Sequence, residues 1–179
     1  MNPAQYFHQF HKELLKEAAV IAEEVTSDFF KLSPCHWRRA RFDILTLEAL
    51  RAEEISSHAL ALVAKYDGRH KDRLLRSAIF DFYRVCLQDH NILKTLQQVD
   101  ALSLFPLLLY IVTHELVHIV RFSQFLALYE ASEEHKQEEE RRVHQLTQKI
   151  LARLPVRDLP PVMRYYDART QGGLQYAHL

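Results

Sequence analysis

The sequence predicts a mainly α-helical fold, five or six helices packed as one domain, and three observations carry that prediction. Glycine occurs only 3 times in 179 residues, whereas sheets joined by tight turns call for more of it. Apolar residues recur at three- and four-residue steps along most of the chain, the spacing of a buried helix face. The 6 prolines fall mostly where these periodic segments begin or end.

Taken in order, Phe7, Phe10, Leu14, Ala18, Ile21, Val25 and Phe29 form the first apolar face, closed by Ser33-Pro34. Leu45, Ala49, Ala52, Ile55, Ala59, Leu62 and Tyr66 form the second, with Asp67-Gly68 as its C-terminal stop. Leu75, Ala78, Ile79, Phe82 and Cys86 suggest a third helix. SAIFDFYRVCL is also β-branched and aromatic enough for a strand, so the fold class keeps room for a small β element. Asp89-His90-Asn91 breaks the pattern before a short helix over 92–99.

Ser103 caps the next helix, tolerates Pro106 in the first turn and carries the period to about 130. Ser132 caps another over 133–153, stopped by Pro155. Residues 155–179 show no helical period and read as an irregular tail, which sets the helical domain at 1–154.

Bulk properties narrow the function classes. Lys plus Arg and Asp plus Glu both number 23, and this balance gives no basic stripe for nucleic acid. Cys35 and Cys86 cannot build a disulfide framework and have no CxxC spacing. The N-terminal segment lacks the layout of a signal peptide. The longest apolar run, 104–112, is about half of what a bilayer crossing needs. The expectation is a cytoplasmic chain without nucleic-acid or membrane partners, its oligomeric state unspecified.

The chemistry concentrates in YIVTHELVHIVRF, 110–122. His114, Glu115 and His118 make an HExxH pattern. On a helix, residues four apart sit one turn above the other, so both imidazoles can face one cation. Glu115 lies about 100° further round, near enough to act as general base on a metal-activated water without being a ligand. Tyr110, His114, Glu115, His118 and Arg121 share one arc, while the rest of the helix is almost wholly apolar. Such a helix buries ionisable groups at high cost unless something compensates them. The competing explanation is a polar network in which Glu115 pairs with Arg121 or with an arginine of another helix.

Two histidines leave a catalytic zinc one protein ligand short. The sequence lacks the HxxG continuation that would supply a third histidine nearby, so an acid from the following helix is the alternative. EEHKQEEERRVHQLTQKIL offers Glu138, Glu139 and Glu140, twenty to twenty-two residues beyond His118. Taking Val143, Leu146 and Ile150 as the buried side, Glu139 stands in line at four, seven and eleven residues. Glu138 shares a face with Arg142, Gln145 and Lys149, and Glu140 falls between, stacking over His144. Phase thus favours Glu139, then Glu138, with His135 or His144 as outside possibilities.

Over 108–150 the chain resembles the gluzincin branch of the HExxH metallopeptidases, whose third zinc ligand is a glutamate on a helix about twenty residues downstream. The resemblance implies Zn2+ held by His114, His118 and Glu139, with Glu115 activating water. It also implies a peptide or small amide substrate lying along a sheet edge above the HExxH helix. Tyr110, Tyr165 and Tyr166 are candidates to stabilise an oxyanion, and Arg121 either grips a substrate carboxylate or anchors Glu139.

Two alternatives accompany the zinc hydrolase. Glu23, Glu24, Glu54 and His58 could combine with Glu115, His118 and Glu139 into a di-iron carboxylate bundle with redox or oxygen chemistry. Otherwise the metal serves a non-catalytic helical module. His8, His11, His36, His70 and His90 show no ligand spacing, and His178 lies near the end of the tail.

Overall fold

A computed structural model describes residues 6–69 and 79–171. In chain order it holds α1 (Gln9–Phe30), α2 (His36–Arg39), β1 (Arg41–Leu45), β2 (Ala61–Arg69) and β3 (Ile79–Leu87). Then follow α3 (Asp89–Gln98), α4 (Leu104–Ser123), α5 (Glu133–Leu151) and α6 (Leu159–Gln171). Short 3-10 turns over Leu47–Ala49 and Ala52–Glu54 join β1 to β2. The described residues are therefore mainly helical with one small sheet, as the composition implies.

The apolar character of α4 decides the architecture. Every residue from Pro106 to Phe122 is buried, so the helix needs cover on all sides. One side is taken by α1, whose Leu15, Ala18, Ala22 and Thr26 are buried along one stripe, and two alanines there permit close approach. The sheet covers a second side, and α5 and α6 complete the surround. Thr113 and Thr147 satisfy their buried hydroxyls on the carbonyls of Leu109 and Val143, one turn back.

The sheet has the order β1-β3-β2, β1 parallel and β2 antiparallel to β3. Ala61, Val63, Tyr83, Val85 and Leu87 belong to the core shared with the helices, while Leu62, Ala64 and Cys86 pack on the other face with Leu50 and Tyr66. Arg84 also lies on that outer face, bonded to Glu54 at 2.9 Å and to Asp43 at 3.2 Å.

Several sequence expectations are corrected here. The second helical series is not a helix, because Leu45 ends β1, Ala49 and Ala52 lie in 3-10 turns, and Ala59–Tyr66 leads into and forms β2. Residues 60–64 are buried on both faces of the sheet; two-sided burial removes the alternation that marks a strand, and an Ala-Leu-rich run then imitates a helix. The strand reading of SAIFDFYRVCL holds from Ile79 onward; Leu75 and Ala78 lie outside the described residues.

The long helix ends at Ser123 and not near 130. Phe125 adopts φ 57°, and the Leu126 N–H returns to the Arg121 carbonyl at 2.9 Å, a left-handed helix stop made without glycine. The segment after Pro155 is not an irregular tail through 171, since it contains α6, whose Leu159, Val162 and Tyr166 are buried in register. Pro160 and Pro161 sit in its first turn, where a missing N–H is harmless. His178 lies outside the described residues, as does His70. The α5 span agrees closely with its sequence reading, whereas α3 begins at Asp89, so that Asp89-His90-Asn91 form its first turn and are not a break before it.

Candidate metal centre

On α4 the i, i+4 spacing brings the His114 and His118 rings together, with their Nε2 atoms 3.2 Å apart. Glu140 closes the triangle from α5, placing Oε2 3.2 Å from His114 Nε2 and Oε1 3.1 Å from His118 Nε2. All three side chains are buried, and they are the group among the described residues whose donor atoms lie within metal-binding reach of one another.

The donor set fits a small divalent cation. Zinc bound to imidazole nitrogen and carboxylate oxygen at about 2.0–2.1 Å places tetrahedral ligands roughly 3.3 Å apart. The Nε2–Nε2 distance of 3.2 Å comes close to that edge length, and each Glu140 oxygen faces one histidine. Two imidazoles and one carboxylate are also the donors that borderline cations favour. Burial disfavours a charged His114, but Glu140 and Glu115 outweigh it and hold the imidazole above its usual titration range.

The acidic corner is Glu140 and not Glu139, which corrects the phase argument. The buried stripe of α5 is Glu140, Val143, His144, Thr147, Ile150 and Leu151, whereas Leu146 is only half-buried. The stripe contains three polar residues, Glu140, His144 and Thr147, so a face drawn through apolar residues alone is rotated by about one position. The stacking of Glu140 over His144 is the sequence signal that points to it, although helical phase drawn through apolar residues passes it over. Glu139 instead meets Arg121, which donates to it through Nε and, at 2.8 Å, through Nη2. Arg121 therefore takes the anchoring role, and in doing so holds Glu139 away from the histidines. Glu138 and His135 are exposed, and the His135 ring bonds Ser132 at 2.7 Å.

Around this centre α6 adds groups that the sequence reading left in a tail. Tyr166 stacks on Tyr110 with ring centres 4.0 Å apart, and Tyr110 lies one turn from His114 in a stacked contact of 6.2 Å. The Tyr110 hydroxyl meets His144 Nδ1, whose other ring nitrogen lies 2.9 Å from Asp167 of α6. Gln148 donates to the same carboxylate at 2.8 Å. Tyr110 and His144 thus tie three helices together beside the histidines.

Glu115 is buried and lines a cavity of about 20 Å³ with His114, Ile111, Tyr166, Arg169 and the Ala59–Ala61 stretch that opens β2. That is space on the scale of one water molecule. The carboxylate next to His114 thus borders both the histidine pair and the end of a sheet edge.

The remaining candidates lie elsewhere. Glu23 and Glu24 are exposed on α1, and His58 is exposed as well. Glu54, a candidate for the di-iron site, is fully buried on the outer face of the sheet with Arg84 and the Tyr66 hydroxyl. The acids needed for a second iron are therefore not gathered at His118. His36 meets Ser123 at 3.3 Å, and His90 meets the Ser56 carbonyl at 3.1 Å. Comparison with known families, with curated proteins and with solved structures finds no match to this chain.

Proposed function

We propose that the chain is a zinc-dependent hydrolase of peptide or related amide bonds, with the ion held by His114, His118 and Glu140. The observation that carries this reading is the convergence of those three donors, 3.1–3.2 Å apart, beside Glu115 and the β2 edge. Bound there, zinc would supply Lewis acidity and lower the pKa of a coordinated water towards neutrality.

The protein's own groups supply the rest. Glu115 accepts the proton of the attacking water and can return it to the leaving amine. Tyr166 and Arg169, which line the same cavity, are the donors this reading assigns to a developing oxyanion. Asp167, through His144 and Tyr110, braces the aromatic wall beside His114.

Metal analysis and kinetics on purified protein provide the test. Wild type is expected to bind one zinc per chain and to cleave peptide bonds. Glu115→Gln should retain the metal and lose hydrolysis. Glu140→Gln should lose the metal, and Glu139→Gln should keep it. Absence of stoichiometric metal in wild type sinks the reading, whereas tight metal with four protein ligands and no turnover points to a non-catalytic module.

A further inference from the structure

The chain leaves α4 through a turn that favours glycine and places phenylalanine in it. The Phe125 N–H returns to the Phe122 carbonyl at 3.1 Å and the Leu126 N–H to the Arg121 carbonyl at 2.9 Å, the paired bonds of a Schellman stop. These bonds hold Phe125 at φ 57°, where a Cβ crowds the backbone and glycine or asparagine is the usual occupant. Packing does not compensate, since Phe125 is 89% exposed. Leu126 and Leu128 are exposed beside it, the densest run of exposed large apolar side chains among the described residues. Neither the backbone nor the core gains from an aromatic ring at this position, so its benefit lies in a contact outside the chain.

A receiving surface adjoins it. Leu126, Ala127 and Leu128 line a cavity of about 420 Å³, together with Phe122 and Ala131. A cavity of about 150 Å³ is enough for a benzene ring, so a phenylalanine side chain fits. The cavity also carries both signs of charge, with Glu130 and Glu138 against Lys136 and Arg142. A patch that joins an apolar knob, an apolar hole and balanced charge is complementary to itself. Under a two-fold axis each knob meets the other copy's hole, and the acids of one copy meet the bases of the other. A partner of one dominant charge would leave half of these ionic groups unmatched, and a lipid surface would leave the hole unfilled.

We infer that this patch is the interface of a two-fold dimer, in which Phe125 of each copy enters the cavity lined by Leu126 and Leu128 of the other. None of the three proposed metal ligands lines that cavity, so the dimer stands apart from the hydrolase reading.

Sedimentation velocity over a concentration series tests it on three proteins. These are wild type, Phe125→Gly, which removes the knob, and Ala131→Trp, which fills the hole. Wild type should pass from monomer to dimer as its concentration rises through the micromolar range. Each variant alone should dimerise at least ~100-fold more weakly, as loss of a central aromatic anchor from both copies does. Mixed in equal amounts, the two variants should regain an intermediate affinity. The Ala131→Trp chain still offers a knob and the Phe125→Gly chain still offers a hole. In urea unfolding at low concentration, the Phe125→Gly monomer should be at least as stable as the wild-type monomer, because glycine suits the left-handed turn. Four results each overturn the proposal: a wild type that stays monomeric, a variant that dimerises as tightly as wild type, a mixture that associates no better than its components, or a Phe125→Gly monomer less stable than wild type. Wild type and Phe125→Gly decide between them if circular dichroism shows that Ala131→Trp does not fold.

Discussion

Glu139 and Glu140 are adjacent in sequence, yet on α5 their side chains diverge by about 100° and reach different partners. Glu140 joins the histidines, while Glu139 holds Arg121. Substitutions should therefore separate cleanly. Glu140→Gln is expected to weaken zinc binding by more than ~100-fold, beyond what loss of a supporting contact gives; competition with a chromophoric chelator would measure it. Arg121→Met leaves the Glu139 carboxylate partly buried without its guanidinium. About 3 kcal/mol of stability should be lost, with metal stoichiometry unchanged, as read by urea unfolding beside metal analysis. The convergence of the two histidines was legible from spacing alone, because i, i+4 geometry follows from the helix itself. The acid was legible only to its helix, since phase assignment assumed an apolar face and the true stripe includes His144 and Thr147.

At the scale of elements, α6 shows how proline can hide a helix. Pro160-Pro161 reads as a break, although a first turn accepts it, and Leu159, Val162 and Tyr166 carry the period onward. Tyr166→Ala should cost about 3–5 kcal/mol, as large aromatic truncations in cores do. It should also loosen Tyr110, a change that near-ultraviolet circular dichroism would report. On the outer face of the sheet, burial opposes charge on Glu54, but the Arg51 N–H, the Tyr66 hydroxyl and Arg84 prevail, so its carboxyl titrates below the usual range. A depressed carboxyl contributes stability above the ordinary carboxylate pKa and loses it as pH falls through the lowered value. Glu54→Gln should therefore flatten the acid limb of stability against pH, measured by denaturant midpoints from neutrality downward. The same buried acid pushes the Tyr66 hydroxyl, itself desolvated, up to about 12. β2 was illegible for a related reason: its first half, Ala61 to Ala64, is apolar and buried on both faces, and nothing in that pattern separates a doubly covered strand from a buried helix.

For the whole molecule, the mainly helical class and the centrality of α4 could be read from composition and period. The helix count agrees only because two segments read as helices form the sheet while α2 and α6 went unread. The sheet and its order could not be read, because β1 pairs directly with β3 while β2, which separates them in the sequence, lies on the other side of β3, a long-range pairing that local pattern does not encode. A site that exists only in the folded chain links ligand to stability. Zinc at a thousand times its dissociation constant should add about 4 kcal/mol, and Glu140→Gln should abolish that increment in thermal unfolding. The burial of α4 bears on the chain's life before it folds. By length and composition the helix could cross a bilayer, yet 89% of its most apolar stretch lies inside the protein. Glu115 and Arg121 stand in that same helix, and a charged residue at the centre of a membrane segment raises its insertion energy by roughly 3 kcal/mol. The residues that make the helix chemically interesting thus also mark it, while nascent, as poor cargo for the insertion machinery. Replacing the whole polar arc with leucine should send the product to the membrane fraction.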